Sequence, residues 1–263
     1  MCKEQKGKNR MKNAILKAEG LCKSFAHNGV QNHVLDKVNV EIYEGDFTII
    51  MGASGAGKST LLYSLSGMDS ITAGKVFYKG KDFSNLSEKE MAPYRAGDFG
   101  FVFQQSQLVS NLTLLENVAV TGYLNKKYSS AETKRRAIEL LTKMNLEKAI
   151  NRYPSQVSGG EAQRAAIARA MLKEPGILFA DEPTGALNKR NTTDVLNLLT
   201  ELNRAGQSIL MVTHDIRAAI RATRLLYLED GRIIGEMELP PYEEADAKNR
   251  EAQTNAWLTS MAW

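Results

Sequence analysis

The sequence GASGAGKST, residues 52–60, has the residue types and the spacing of a phosphate-binding loop. It fits the pattern G-x-x-x-x-G-K-[ST] and lies between FTIIM, a predicted strand, and STLLYSL, a predicted helix start. Glycines let backbone N–H groups wrap a phosphate, the lysine reaches the β- and γ-phosphate oxygens, and the hydroxyl helps to hold Mg²⁺. We therefore predict that Lys58 is catalytic and that Ser59 binds the metal. The predicted nucleotide-binding residues of this loop are Gly52, Ala53, Ser54, Gly55, Ala56, Gly57, Lys58, Ser59 and Thr60.

Two acidic residues follow a second apolar run in the sequence ILFADE. Asp181 stands at the end of this predicted strand, where its carboxylate is placed for the Mg²⁺ shell. Glu182, one residue further, is placed to orient and deprotonate a water molecule that attacks the γ-phosphate. Paired acids after a strand are equally typical of a solvated loop or a helix cap. The phosphate-binding loop favours the catalytic interpretation, in which Asp181 is a metal ligand and Glu182 is the base.

Two further predicted strands, FGFVF and SILMV, are also followed by polar residues. Gln104 comes directly after the first, and His214 lies in MVTHD at the end of the second. Either residue taken alone is typical of an ordinary structural position. In open parallel sheets, however, ligands bind beyond the carboxyl ends of the strands. Four strand ends with polar chemistry therefore favour one shared site, in which we expect His214 to contact the γ-phosphate.

A second stretch of small and polar residues, VSGGE at 157–161, precedes the helical pattern EAQRAAIARAMLK. Ser158 is a favourable N-cap residue for that helix. The free N–H groups and the positive end of a helix dipole also attract phosphate. The pattern therefore fits a helix cap and an anion site equally well, and its spacing alone does not choose between them.

The order of the predicted elements favours an α/β protein with a parallel sheet. Buried-strand runs alternate with helical stretches, and residues 112–173 are mostly helical in pattern. The sequence LLYLEDGRIIGEM predicts a hairpin around Asp230-Gly231. No apolar run reaches the roughly 18 residues of a membrane span. Two cysteines, Cys2 and Cys22, are too few for a disulfide framework, which favours a reduced, cytosolic protein.

The net charge of +4 comes from the start of the chain. Its first twelve residues hold an excess of basic side chains, and the remaining sequence is balanced. These charged residues are Lys3, Lys6, Lys8, Arg10 and Lys12, with Glu4 as the single acid. Because a nucleic-acid footprint needs a basic face on the folded body, we predict no nucleic-acid partner. We expect residues 1–13 to form a disordered arm, although a basic arm also suits anionic lipid.

Taken together, these motifs resemble those of the ATP-binding cassette (ABC) ATPases. The resemblance covers about residues 14–237 and rests on GASGAGKST, FVFQ, VSGGEAQR, ILFADEPTGAL and VTHD, in that order. A phosphate-binding loop alone would leave kinases and GTPases open, whereas the ordered set is specific. The stretches GFVFQ, DEPTGAL and SGGEAQR are most similar to the branch of lipoprotein-release, macrolide-export and bacitracin-type peptide-resistance transporters.

The resemblance implies a P-loop core with a parallel sheet, an antiparallel β-subdomain and an inserted helical signature subdomain at about 105–172. It also implies ATP and Mg²⁺ as cofactors and a homodimer in which two cassettes pair head to tail. The signature of one chain would then bind the γ-phosphate held by the other, through Ser158, Gly159, Gly160 and Glu161. Phe25 would stack on adenine, although an aromatic residue there also suits the core. Gln104 would join the metal site and couple it to a membrane subunit.

Two features lie outside this pattern. After EPTGAL the family usually has aspartate, whereas this chain has Asn188, which retains a hydrogen-bonding group but not a charge. Residues 241–263 lie beyond the nucleotide-binding domain, which we place at 14–240, and we expect a helical tail. Trp257 and Met261 stand four residues apart, as on one helix face, which favours packing on the chain's own surface over a partner contact.

The leading functional hypothesis is the ATP-hydrolysing motor of a transporter whose permease is a separate chain. Such a motor would lie in the cytoplasm against the inner face of the cell membrane, with the permease docked near residues 104–118. A soluble ABC ATPase acting on ribosomes or DNA is the alternative. Those relatives usually have two cassettes, long coiled-coil insertions or zinc modules, which this sequence lacks. A P-loop kinase would have no use for VSGGE.

Overall fold

The computed structural model describes residues 13–27, 30–125 and 127–261. The expected basic arm therefore lies outside the described residues, except for Asn13. The strands are β1 (Ala14–His27), β2 (Val30–Tyr43), β3 (Phe47–Met51), β4 (Ala73–Tyr78), β5 (Lys81–Asp82), β6 (Phe99–Val102), β7 (Ile177–Asp181), β8 (Ser208–Val212), β9 (Arg224–Glu229) and β10 (Arg232–Glu238). The helices are α1 (Lys58–Leu65), α2 (Glu88–Gly97), α3 (Leu114–Asn125), α4 (Ser130–Lys143), α5 (Gly159–Met171), α6 (Lys189–Arg204), α7 (Ile216–Ala219) and α8 (Ala247–Ser260).

The central sheet has six strands in the order β10-β9-β3-β8-β7-β6. All its pairs are parallel except the hairpin of β9 and β10. Every residue of β3 and β8 is buried, as expected for parallel strands covered on both faces. The predicted hairpin is confirmed, because Asp230 and Gly231 form its turn with φ of 44° and 73°. The protein therefore has the α/β architecture, with a mostly parallel sheet, that the apolar runs predicted.

A second, antiparallel sheet contains β2, β1, β4 and β5 in that order. Its long strands β1 and β2 pair antiparallel over most of their length, with several register shifts. The alternating sequence VNVEI forms the last part of β2. This sheet is the antiparallel β-subdomain that the resemblance implied.

Three helices, α3, α4 and α5, lie between β6 and β7 in the sequence. Their buried residues, among them Val118, Leu141 and Ile167, belong to the same apolar cluster as Leu178 of β7. Ser129 caps α4 by accepting a hydrogen bond from the backbone N–H of Glu132. The helical insertion between β6 and β7 thus shares its apolar core with the central sheet.

The C-terminal helix α8 packs on the chain's own surface, as expected, and the structure places it against the hairpin of β9 and β10. Leu258 is fully buried, and the indole of Trp257 meets the ring of Tyr227 edge-on. Arg250 is 1% exposed and donates to the backbone oxygens of three residues, Ile220, Pro240 and Ala222. In the described part of the chain, no helix has both the length and the apolar character to cross a membrane.

Candidate functional site

Four of the predicted site segments lie at the carboxyl edge of the central sheet. The phosphate-binding loop follows β3, the two acids end β7, the histidine segment follows β8, and Gln104 lies just beyond β6. Since β3, β8, β7 and β6 are successive parallel neighbours, their carboxyl ends lie side by side. One edge of the sheet therefore presents all four segments to the same region.

At two glycines of the phosphate-binding loop, a positive φ coincides with the close approach of another strand. Gly52 has φ of 151°, and a Cβ atom there would lie 2.1 Å from the carbonyl oxygen of Leu228. Gly57 has φ of 100°, and its Cβ atom would lie 2.9 Å from the carbonyl oxygen of Val34. Both glycines thus allow the loop to pass close to neighbouring strands in a conformation that L-residues disfavour.

Lys58 begins α1, and its side chain folds back across the loop. Its ammonium group donates to the carbonyl oxygens of Gly52 and Ala53, at 2.9 Å each. Burial lowers the pKa of Lys58, while the carboxylates of Glu182 and Asp181 partly offset this effect. The cation is therefore partly desolvated beside the loop, where an anionic ligand would compensate it.

Asp181 accepts two hydrogen bonds from the same helix. Ser59 Oγ donates to its Oδ1 at 2.8 Å, and the hydroxyl of Tyr63 donates to its Oδ2. Burial, followed by this hydrogen bond, raises the pKa of Tyr63 above its ordinary value, so the phenol remains a donor. Sequence reasoning missed Tyr63, although its spacing of four from Ser59 places both residues on one helix face.

Glu182 is held in an uncommon backbone conformation. Its φ is 46°, in the left-handed region that non-glycine residues rarely adopt. Its Oε2 accepts from Thr213 Oγ1 at 3.0 Å, and its Oε1 lies 2.9 Å from Nδ1 of His214. The buried Thr213 was another residue that sequence reasoning missed. His214, whose side chain is 71% exposed, contacts the predicted base rather than the core.

Gln104 is exposed and lies against the loop that follows the two acids. A Cβ atom at Gly185 would be 2.9 Å from its side-chain nitrogen. The preceding residue, Phe103, is tied to α5 because its carbonyl oxygen accepts from Gln163 Nε2 at 2.7 Å. Gln163 is 1% exposed and was not among the predicted residues. This buried amide links the Gln104 segment to the helix that begins with the signature.

Phe25 is 45% exposed on β1, so the core alternative for this residue is wrong. The ammonium group of Lys23 lies 4.8 Å from the centre of its ring. Lys23 itself is buried and bonded to Asp69 at 2.7 Å. An exposed aromatic ring suits stacking, and a nearby cation interacts favourably with its π electrons. The adenine-stacking role of Phe25 stays a prediction.

The signature residues are capped within their own helix turn. Ser158 accepts from the N–H of Glu161, and the Glu161 carboxylate accepts from the backbone N–H and the hydroxyl of Ser158, both at 2.8 Å. These two contacts lower the pKa of Glu161, with the backbone donor as the larger cause. Gly159 is exposed, whereas a Cβ atom at Gly160 would lie 2.4 Å from Cγ of Asn191.

Within residues 13–27, 30–125 and 127–261, no hydrogen bond joins 157–161 to the phosphate-binding loop. The signature instead contacts the start of α6, where Asn191 packs on Gly160. Asn188 caps that helix, and its side-chain oxygen accepts from the N–H of Asn191 at 3.0 Å. The exposed amide of Asn188 therefore caps α6 within its own chain.

The oxygen atoms beside α1 suit Mg²⁺ bound together with a nucleotide. Magnesium prefers oxygen ligands and usually takes one or two carboxylates plus substrate phosphates. Ser59 and Asp181 supply a hydroxyl and a carboxylate at one position. Among the described residues, no group of three or more His, Cys, Asp and Glu side chains is placed to hold a metal. The donor set therefore fits a metal whose shell is completed by phosphate.

Comparison with known proteins identifies the class of this cassette. A family model described as ABC transporter matches residues 35–185, which is more than half of the chain. The chain belongs to the ABC transporter family, as an ATP-binding cassette. The predicted membership of the ABC ATPases and the predicted α/β fold are confirmed. The narrower assignment to the branch of export and peptide-resistance transporters stays a prediction.

Three solved structures are similar over 86% of the chain. The ATP-binding cassette MJ0796, dimeric in a post-hydrolysis state with ADP and Pi, is 37% identical, with a TM-score of 0.80 and all of that chain covered. A second dimeric structure of MJ0796, a bacterial ABC transporter cassette, is 38% identical, with the same TM-score and coverage. CbiO1 from Clostridium perfringens, part of the ABC transporter complex cbiONQ, is 28% identical, with a TM-score of 0.76 and 89% of that chain covered.

Proposed function

We propose that this chain hydrolyses Mg-ATP as the motor subunit of an ABC transporter and works as a head-to-tail homodimer. The observation that carries the proposal is the separation of two phosphate-binding motifs within one chain. The phosphate-binding loop is joined to the acidic strand end, whereas the signature is joined to α6. A second copy would bring its signature to the first copy's loop. MJ0796, a relative with a dimeric structure, supports this assembly.

The roles of the side chains follow from their contacts. Lys58 would exchange two loop carbonyl oxygens for phosphate oxygens, which form stronger, charge-assisted hydrogen bonds. Ser59 and Asp181 would hold Mg²⁺, which supplies electrostatic stabilisation of the transferred phosphoryl group. Glu182, oriented by Thr213 and His214, would accept the proton of the attacking water. Binding of ATP would close the two cassettes, and hydrolysis with product release would reopen them.

The permease would be a separate chain that docks near residues 104–118. In this segment Val109 is exposed. The backbone N–H of Leu114, at the start of α3, donates to the carbonyl oxygen of Arg152, the residue before Tyr153. Tyr153 is exposed as well, so apolar surface flanks this junction. CbiO1 is part of a transporter complex, which supports a partner of this kind. The cassette would then lie on the cytoplasmic face of the cell membrane.

We further propose that the transporter exports or otherwise handles lipid-type or antimicrobial-peptide substrates. The stretches GFVFQ, DEPTGAL and SGGEAQR support this branch. The domain division that accompanies the proposal is an arm at 1–13, a nucleotide-binding domain at 14–240 and a tail at 241–263. The helical subdomain would span about 105–172. The buried contacts of Arg250 favour a tail that is fixed to the nucleotide-binding domain.

Mixing two damaged chains tests the dimer. Ser158→Arg should block the signature by bulk, and Lys58→Ala should disable the phosphate-binding loop. Each variant alone should be nearly inactive, because both sites of its homodimer are damaged. In a mixed dimer, one site combines the intact loop of the first variant with the intact signature of the second. We therefore expect ATP-dependent cross-linking of the heterodimer to return on mixing, with partial return of ATPase activity.

Ser129→Arg is the matched control, because Ser129 is an exposed N-cap serine of another helix in the same insertion. This variant alone should retain ATP-dependent cross-linking. Differently tagged chains would establish that heterodimers form. If tagged heterodimers form and no mixture gives ATP-dependent cross-linking, the signature does not act on the partner's ATP and the head-to-tail proposal fails.

A further inference from the structure

Tyr63 contacts the predicted metal ligand Asp181 from the helix that also carries Ser59. The two hydroxyls are one helical turn apart, and each donates to a different oxygen of the same carboxylate. The phosphate-binding pattern specifies a lysine and a hydroxyl residue but nothing at position 63. The contact is therefore a feature of this chain's own sequence, beyond the motif.

Each oxygen of the Asp181 carboxylate has a different hydrogen-bond partner. Oδ2 of Asp181 is occupied by the Tyr63 phenol, while Oδ1 faces Ser59. Rotation of the carboxylate would break both hydrogen bonds, so its orientation is fixed relative to α1. Magnesium demands near-ideal octahedral geometry, and a carboxylate that is held at Oδ2 by the phenol presents Oδ1 beside the other proposed metal ligand, Ser59. Groups that orient metal ligands in this way typically change metal affinity or activity by 10–100-fold when removed.

A second tyrosine–aspartate pair shows what the same contact does elsewhere. The hydroxyl of Tyr78 donates to Oδ1 of Asp98 at 3.1 Å, and Tyr78 is almost fully buried. This pair joins β4 to the start of β6, at the opposite end of the strands from the phosphate-binding loop. Tyr78 therefore provides a structural hydroxyl–carboxylate contact without a predicted metal ligand.

We propose that Tyr63 is a positioning residue for the metal site, which keeps Oδ1 of Asp181 beside Ser59 for the Mg²⁺ of Mg-ATP. The inference rests on the proposed Mg-ATP site. It extends the site by a residue that touches neither the nucleotide nor the reacting water and acts through Asp181. Its removal should weaken the binding of the metal–nucleotide complex and leave metal-free nucleotide binding intact.

The test compares nucleotide binding with and without metal. Full-length wild-type, Tyr63→Phe and Tyr78→Phe proteins are titrated with the non-hydrolysable analogue AMP-PNP by calorimetry, once in EDTA and once in saturating Mg²⁺. The measured quantity is the ratio of the two dissociation constants. We expect Tyr63→Phe to reduce the advantage given by Mg²⁺ about tenfold while the value in EDTA stays within twofold. Tyr78→Phe should leave the ratio unchanged.

Other outcomes distinguish a failure of the proposed role of Tyr63 from a failure of the proposed ATP site. A ratio in Tyr63→Phe within threefold of wild type, or equal weakening in EDTA and Mg²⁺, would overturn the positioning role while the ATP site stands. Wild-type protein without affinity for AMP-PNP would instead overturn the proposed ATP site, and the inference with it. Because Tyr63→Phe removes one oxygen atom from a half-buried side chain, we expect its melting temperature to remain near that of wild type.

Discussion

The edge of the sheet and the signature helix are the two regions proposed to bind phosphate, but they are built in different ways. At the sheet edge, Ser59 and Asp181 are 122 positions apart in the sequence, and Glu182 and His214 are 32 apart. At the signature, the capping contacts join residues only three positions apart. The first region therefore depends on the folded sheet, whereas the second depends mainly on its own helix.

The difference bears on the tasks that we propose for the two regions, because the polar side chains of the signature are engaged in capping its own helix. The edge brings a lysine, two acids and a histidine together from segments that are separate in sequence. The signature offers a helix N-terminus with a satisfied cap and two glycines, a combination suited to binding an anion but not to transferring a proton. In the proposed dimer a complete site contains both regions, and we expect the signature to contribute binding and the edge of the sheet to contribute chemistry.

The same substitution in the two regions should separate chemistry from capping. Glu182→Gln keeps the shape of the side chain and removes the proton acceptor, so we expect hydrolysis to fall roughly 10²–10⁴-fold. Mg-ATP binding should remain, and ATP-dependent dimers should persist. Glu161→Gln should change hydrolysis only a few-fold, because glutamine also serves in a capping box. Steady-state ATPase rates measure both, and near wild-type turnover in Glu182→Gln would contradict its role as base.

Two adjacent glycines sharpen the comparison within the signature. Gly160→Ala places a methyl group against Asn191, and overpacking of this kind costs about 1–3 kcal/mol of unfolding free energy. Gly159→Ala meets only Leu187, at an ordinary 3.6 Å, and should not lower the free energy of unfolding. Its exposed methyl should instead obstruct the partner's phosphate.

We expect Gly159→Ala to weaken ATP-dependent dimerisation about tenfold, equivalent to about 1.4 kcal/mol. Urea denaturation and analytical ultracentrifugation with ATP measure the two effects separately. If Gly159→Ala dimerises as the wild type does, the exposed face of the signature is not a phosphate contact.

The smallest expected effect is that of Asn188→Asp. The carboxylate would replace the amide as cap of α6, and a negative charge at a helix N-terminus stabilises by about 0.3–1 kcal/mol. Because aspartate is the usual residue of the family here, the substitution should also leave ATP-dependent dimers as stable as before or more stable. Thermal denaturation with and without ATP measures both changes. Weaker dimers would mean that this chain's interface has adapted to the uncharged amide.

Buried parallel strands were the part of the fold that the sequence predicted best. FTIIM and SILMV coincide with β3 and β8, because strands covered on both faces are continuous apolar runs. No strand was predicted for residues 14–27, although β1 spans all of them. Its register shifts break the alternation of apolar and polar residues that marks a half-buried strand. Helix α2 was missed because it is polar and contains Pro93.

The candidate site likewise contains some residues that the sequence predicted and some that it did not. Lys58, Ser59, Asp181 and Glu182 were predictable because each lies in a short motif with fixed spacing. Tyr63 and Thr213 were not, since each is recognised only by a carboxylate far away in the sequence. The contact of Gly160 with Asn191 likewise required the packing of two helices. Local spacing therefore singled out the residues that we propose to react, and the structure adds their hydrogen-bond partners.

The left-handed backbone of Glu182 lowers the stability of the fold at the residue that we propose as the catalytic base. A non-glycine residue in this conformation costs about 1–2 kcal/mol, which glycine would avoid. Selection for thermal stability alone would therefore favour loss of the glutamate. With Glu182 as the proposed base, selection for turnover would retain it, because its carboxylate lies between Thr213 and His214. At position 182, a design for thermal stability would therefore choose glycine, whereas a design for ATPase activity would keep glutamate.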